Sequence, residues 1–307
     1  EYVDPRSIKV HAPSLVVFIC GGLIRDIHEK PASLRDAFMR ISSRTPLEKY
    51  KLILAEEIEA FFPTGEYKEL LKLESDIAQI AELLLLFSES PGSLAELGVF
   101  VMDDEVAPRM MVIIDDANYK SRSFIRLGPL YTLMLHHGEE TVCVIALSDV
   151  NLKTIQNIDD IDLDKFKSAL ETPLKTRLEK RTEPRTFDKN RHGHVTKLIT
   201  GLIQYYAALT VEEIHVLLWC WNITIPYEDI RKHLMCAEIF GWIWTEKKGL
   251  KTYYAAIANK AAIHFEFLQG VGTVDRKRWR TDILDFWKKT EPARFSAISN
   301  AAVRSVK

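Results

Sequence analysis

The sequence predicts an α/β protein: a Rossmann-like, doubly wound parallel sheet, followed by a mostly helical region carrying a winged helix-turn-helix. Three observations predict it. Short apolar runs alternate with helical spacings over the first 150 residues, the rhythm of βαβ units. Charge changes sign along the chain: residues 1–163 hold 16 Lys+Arg against 27 Asp+Glu, and residues 164–307 hold 25 against 16. Residues 195–255 read as helix, helix, helix and basic hairpin, and all six Trp lie beyond residue 218.

Leu15–Cys20 is apolar at every position and stops at Gly21-Gly22, as a strand buried on both faces would. Residues 33 to about 56 read as helix, broken near Pro46, and Ile58–Phe62 as a short strand. Leu70, Leu71, Leu73, Ile77 and Ile80 give residues 66–81 helical spacing. Leu83–Phe87 is the next apolar run. The turn Ser90-Pro91-Gly92 follows, then a helix from Ser93 to about Asp104. Met110–Ile114 is a strand closing at Asp115-Asp116; residues 128–137 are helix and Thr141–Leu147 a further strand. In such a sheet ligands sit outside the C-terminal strand ends. That rule lines up Gly21-Gly22, Ser88 to Ser93 and Asp115 to Asn118 along one rim.

Residues 151–194 read as a helical linker and 195–307 as the second domain, after a first domain of residues 1–150. Thr210 followed by Glu213 is a capping box that opens a helix. Trp242–Thr245 and Lys251–Ala255 flank Glu246–Leu250 as a hairpin with a basic tip. Helices followed by a wing suit contact with a nucleic-acid backbone. Lys247, Lys248 and Lys251 at the hairpin, with Arg276, Lys277, Arg278 and Arg280 around Trp279, are the candidate nucleic-acid or partner contacts. No run approaches the length of a membrane span. Cys20, Cys143, Cys220 and Cys236 are scattered in apolar surroundings, which predicts reduced, buried thiols in a cytoplasmic protein. No metal site is expected: His192-Gly193-His194 lacks further ligands at metal-binding spacing.

The segment Ser88 to Gly98 carries the chemistry. A strand end, a Pro-Gly turn and a helix start give free N–H groups, with Ser93 as the expected cap. Ser88, Ser90, Gly92 and Ser93 are placed to hold a sugar, and Gly21-Gly22 to allow close backbone approach of a phosphate or ribose. Glu96, expected in the first helical turn, offers a carboxylate to the oxocarbenium-like state that forms when an N-glycosidic bond breaks. The plainer reading of Ser93 and Glu96 is a capping box. Asp115 and Asn118 bind ribose or base, or else start a turn. Arg126 and Arg122 offer guanidinium to phosphate, and Tyr67 is a candidate to line the pocket.

These motifs resemble the nucleoside 2-deoxyribosyltransferase-like superfamily, in which the glutamate of such a segment is catalytic. The resemblance is closer to the deoxyribosyltransferase-like effectors encoded beside bacterial retrons. It is carried by Ile19-Cys20-Gly21-Gly22, by Leu86 to Ser93 continuing through Glu96-Leu97-Gly98, and by Lys120 to Ile125 followed by Gly128-Pro129. It implies an N-glycosidase toxin of an anti-phage system, restrained by the retron reverse transcriptase with its msDNA and non-coding RNA. It implies NAD or a related nucleotide as substrate and no cofactor, and it leaves room for a homo-oligomer or higher-order assembly. Sugar-transferring members carry aspartates near the positions of Ser88 and Ser90; their absence here points to hydrolysis over transfer. The alternative function is a nucleotide-sensing winged-helix DNA-binding regulator without catalysis.

Overall fold

The computed structural model describes residues 3–62, 65–180, 185–257, 260–267 and 275–304. The chain divides into two compact units. One is formed by residues 15–57 and 81–181, the other by residues 1–14, 58–80 and 182–307. This differs from a contiguous division at residues 150 and 194. Residues 151–181 belong to the first unit, and residues 1–14 and 58–80 to the second.

The first unit is built on five parallel strands: β1 (Val16–Cys20), β2 (Lys51–Leu54), β3 (Leu83–Phe87), β4 (Met110–Asp115) and β5 (Val142–Ile145). Their order is β2-β1-β3-β4-β5. That is a doubly wound order, and its topological switch point lies between β1 and β3. β1, β3 and β4 are buried at every position, which accounts for their unbroken apolar sequences. One face carries Val17, Ile19, Leu85, Met111 and Ile113, clustered with Phe38 and Ile41 of the helix Leu34–Ile41 and with Phe166, Leu170 and Leu174 of the helix Leu163–Glu179. On the other face Phe18 meets Phe100 of the helix Pro91–Phe100 edge-on, 6.4 Å between ring centroids.

Three sequence expectations are corrected here. Lys51–Leu54, expected as the end of a helix, is the strand β2. Ile58 lies in the helix Ala55–Glu59, so the expected strand over 58–62 is absent. The region read as a helical linker is helical over Leu163–Glu179, but that helix is no linker: it covers a face of the sheet, and its Arg177 donates from Nε to the Met110 carbonyl at 3.0 Å. Isolated short segments carry weak signals, and pairing with β1 overrides them.

In the second unit the helices His192–Tyr206, Val211–Cys220 and Tyr227–Ile239 are followed by the hairpin Ile243–Lys248 and Lys251–Ala256. The strand Ala208–Leu209 completes a three-stranded antiparallel sheet. The Thr210–Glu213 capping box forms as expected. The hairpin turns on Gly249-Leu250, with Gly249 at φ +62°, the glycine-first geometry of a two-residue turn. The helix Leu70–Ile80 lies close against the helix His192–Tyr206: a Cβ on Gly193 would stand 2.5 Å from the Gln79 carbonyl oxygen. Cys220 is exposed at the end of its helix, against expectation, whereas Cys20, Cys143 and Cys236 are buried. No helix among the described residues is long and apolar enough to cross a membrane.

This unit also buries a polar cluster. Tyr67 donates to Asp76 at 2.9 Å, Lys72 pairs with Asp76 at 2.5 Å, and the His192 and His233 rings stack 4.1 Å apart. Burial lowers the His192 pKa to about 3 and holds His233 well below its ordinary value. Unfolded histidines take up protons below about pH 6.5. The unfolded state therefore binds more protons from there down to about 3, where folded His192 titrates, and stability falls as pH drops through this window. Burial raises the Asp76 carboxyl, so its protonation offsets part of the loss at the acid end. The urea midpoint is expected to fall between about pH 7 and pH 5, and His192→Phe, which keeps a stacked ring, is expected to flatten the fall. An unchanged pH slope in the variant would refute this assignment.

Candidate active site

The site assembles at the C-terminal ends of β1 and β3, where Gly21-Gly22 and Ser88-Glu89-Ser90 leave the sheet. The helix Pro91–Phe100 begins two residues earlier than the sequence suggests, because Ser90 and not Ser93 is its N-cap. Pro91 takes the first helical position, where its missing N–H costs nothing. Ser90 Oγ accepts from the Ser93 amide at 3.2 Å, and Ser93 Oγ accepts from the Ser90 amide at 3.0 Å. Ser93 Oγ also accepts from the Glu89 amide at 3.2 Å. The capping box is thus Ser90–Ser93, not Ser93–Glu96. Loss of a cap costs about 1 kcal/mol, so Ser90→Ala is expected to lower unfolding free energy by roughly that amount in urea titrations. A change below the error of the titration would count against it.

Glu96 consequently sits in the second helical turn. It is half-buried, and its Oε2 is shielded from solvent. It lies three residues after Ser93, on the adjoining part of the same helical face. Gly92 is exposed at the second position of the helix. Ser88 is buried, and among the described residues its Oγ has no hydrogen-bond partner.

The space that a Cβ would need at Gly21 and Gly22 is filled by the chain itself. A Cβ on Gly21 would stand 2.9 Å from the Cβ atoms of Arg35 and Phe87; one on Gly22 would stand 2.6 Å from the Ser33 Cβ and 3.0 Å from Glu89 Oε1. Glu89 is the residue that sequence reasoning missed. Its Oε1 accepts from the amides of Gly22 (2.9 Å) and Arg35 (3.0 Å), and its Oε2 from the amide of Leu34 (2.6 Å). Leu34 and Arg35 open the helix Leu34–Ile41, whose third amide, that of Asp36, is capped by Ser33 Oγ at 3.0 Å. Burial pushes the Glu89 carboxyl above the ordinary glutamate range, against the pull of the three N–H donors. Arg35, itself buried, donates from Nε to the Gly22 carbonyl at 2.6 Å and forks onto Glu56. The available signal was a charged residue in a rim loop between two serines already singled out.

Asp115 and Asn118 lie at the end of β4, bound to each other. Asp115 Oδ1 accepts from the amides of Ala117 and Asn118, and Oδ2 accepts from Asn118 Nδ2 at 2.6 Å. The Asp115 side chain therefore starts the short helix Asp116–Lys120, as the turn reading expected. The Arg126 guanidinium lies 4.3 Å over the Tyr119 ring. It opens the π-helical stretch Arg126–Leu130, where Pro129 interrupts the normal ladder. Tyr67, expected at the pocket, belongs to the other unit and is buried against Asp76 and Cys236.

In the second unit the hairpin lysines differ from one another. Lys247 is exposed, whereas Lys248 pairs with Glu246 at 2.6 Å and Lys251 with Glu291 at 2.7 Å. Two of the three charges expected to face a polyanion are therefore already held by carboxylates. Arg278 and Arg280 are exposed on the helix Arg276–Thr290; the side chains of Arg276 and Lys277 lie outside the described residues. The helix Tyr227–Ile239 opens with Glu228 and Asp229 and is buried over Ile230, His233–Ala237 and Ile239.

A family model described as "STM3845 retron effector protein" matches residues 31–247, more than two thirds of the chain. Two curated Escherichia coli proteins are similar over shorter stretches. A retron Ec86 protein, provisionally named a ribosyltransferase/DNA-binding protein, is 32% identical over 129 residues, covering 39% of this chain and 37% of that protein. A retron Ec73 protein of the same provisional name is 27% identical over 128 residues, covering 40% of each. The similarity thus spans about two fifths of the curated relatives.

Proposed function

The chain belongs to the STM3845 retron effector family, and from that premise we propose that its parallel-sheet unit is an N-glycosidase acting on a free nucleotide, with NAD the first candidate. The observation that carries the reading is the placement of Glu96: a half-buried carboxylate on the helix leaving β3 beside the switch point, where doubly wound sheets bind ligands. The provisional ribosyltransferase names of the two relatives support chemistry at a ribose carbon.

In this reaction the C1′–N bond breaks with its electron pair leaving on nitrogen. A nicotinamide departs as a neutral base, because the pyridinium charge is cancelled, so its departure needs no proton donor. Positive charge grows on C1′, and Glu96 either bonds to that carbon or stabilises it electrostatically. Water then supplies the hydroxyl of the ribose product and releases a proton. Ser88 and Ser90 hold the sugar hydroxyls, and Asn118 and Arg126 lie on the more distant rim, where they meet the rest of the nucleotide.

The second unit is read as a winged-helix module that docks onto the retron's reverse transcriptase and msDNA, which hold the enzyme silent. Its third helix is poorly made for reading duplex DNA, since it opens with Glu228 and Asp229 and buries most of its length. That weighs against the DNA-regulator reading. Arg280 and Lys247, with Arg278 only loosely paired to Asp282 at 3.9 Å, are left for backbone contact, which predicts weak, salt-sensitive binding without sequence preference. Incubation of the purified chain with NAD is expected to release nicotinamide, and addition of the reverse transcriptase with its msDNA to suppress the release. Failure to cleave NAD or any of a panel of nucleosides and nucleotides, in the absence of those partners, would reject the proposal.

A further inference from the structure

The β1 turn and the N-terminus of the helix Leu34–Ile41 point three backbone N–H groups at one place. These are the amides of Gly22, Leu34 and Arg35. In an α/β sheet such a cluster beside the switch point is where an anion, commonly a phosphate, is held. Here the place is taken. The Glu89 carboxylate from the β3 loop accepts all three bonds, at 2.6 to 3.0 Å. A second observation shows that the fit is built in. The absence of a side chain at Gly22 is what lets Glu89 in, since a Cβ there would stand 3.0 Å from its Oε1. Arg35 adds nothing that would attract a further anion: its guanidinium is spent on the Gly22 carbonyl and on Glu56.

We propose that Glu89 is a specificity-determining residue, a built-in occupant of the phosphate seat, so that the crevice presents a carboxylate to its ligand at this point. A ligand phosphate placed there would lose its donors to Glu89 and meet a like charge. A sugar hydroxyl placed there would donate to an oxygen of Glu89, a residue that keeps part of its surface exposed. The two Glu89 oxygens hold about four lone-pair sites, of which the backbone takes three, leaving one for that hydroxyl. The inference rests on the reading of the crevice as a nucleotide site, and it names the part of the nucleotide received beside β1: ribose, with any phosphate directed elsewhere on the rim.

The decisive test is anion rescue in the full chain, with inorganic phosphate as probe and chloride at matched ionic strength as control. Wild type is expected to gain less from phosphate than the variants that vacate the seat. Glu89→Ala is expected to melt lower in chloride and to recover a substantial part of the loss in phosphate, because the emptied seat keeps its three donors. Glu89→Ser, which leaves one oxygen for the backbone, serves where the alanine variant does not fold, with the same expected recovery. A gain in phosphate over chloride for the vacated variant no larger than that of wild type would overturn the proposal. A second readout compares adenosine with AMP. Glu89→Gln is expected to raise affinity for AMP relative to adenosine by roughly tenfold through loss of the like charge, and an unchanged ratio would count against the proposal. If neither ligand binds any variant yet phosphate rescues Glu89→Ala, the seat stands and the nucleotide reading falls.

Discussion

Glu96→Gln is expected to keep the fold and to lower N-glycosidic turnover by about 10²–10³-fold, the scale seen when a group that stabilises transition-state charge is removed. Glutamine preserves the shape of the side chain, including the shielded Oε2 position, and takes away only the negative charge. In the proposed reaction that charge opposes positive charge at C1′, whether by a covalent bond or through space. A large fall in kcat with little change in KM would place the effect in the transition state. The measurement is nicotinamide release followed by chromatography, with circular dichroism and the melting midpoint to establish folding. Turnover within a few-fold of wild type would remove Glu96 from the centre of the mechanism. A variant that loses both fold and activity would be uninformative for glutamine alone, so Glu96→Asp supplies the second comparison: it retains charge while withdrawing it by one methylene, and an intermediate rate is expected.

The largest expected effect on stability belongs to Arg294→Ala. Arg294 is 1% exposed and joins four elements of the second unit. Its Nε donates to Glu291 at 2.9 Å, one terminal nitrogen to Glu213 at 2.5 Å, and the other to the Ala208 carbonyl at 3.1 Å. The guanidinium also lies 3.8 Å over the Trp287 ring. Truncation removes a buried charge and leaves the Ala208 carbonyl and Glu291 Oε2 short of a partner, while Glu291 Oε1 keeps Lys251 and Tyr253; breaking comparable buried pairs costs about 3–5 kcal/mol. Glu213 is partly exposed and recovers solvation, so the low end, about 3 kcal/mol, is expected by urea titration. Arg294→Lys is expected to recover less than half, because an ammonium cannot fork between two carboxylates and a carbonyl while stacking on an indole. A loss under about 1 kcal/mol for the alanine variant would show that helix packing, not this cation, holds these elements together.

The sheet was legible in the sequence wherever burial on both faces left a run of consecutive apolar residues. Val16–Cys20, Leu83–Phe87 and Met110–Asp115 needed no partner to be recognised. β2 was not legible, because Lys51–Leu54 is an edge strand with one exposed position and runs directly into the helix Ala55–Glu59; its identity comes from pairing with β1. The Thr210 capping box was legible because its chemistry is contained within four residues. Ser90 was mistaken for a turn residue because Pro91 suits both a turn and the first position of a helix.

The sequence by itself determined the parallel sheet, the rim along its C-terminal edge, the segment that carries Glu96, and the change of charge between the two halves. These rest on local periodicity and spacing, which the chain carries wherever it folds. Only the tertiary structure decided that residues 58–80 join the C-terminal unit, that the helix Leu163–Glu179 covers the sheet, and that Lys248 and Lys251 are already paired. It alone decided the occupant of the Gly22 turn, because Glu89 lies 67 residues from Gly22 and 55 from Leu34. A carboxylate finds three backbone donors at such separations only when the ordering of strands sets β1 beside β3. Strand order is fixed by the burial of whole faces, not by any local pattern.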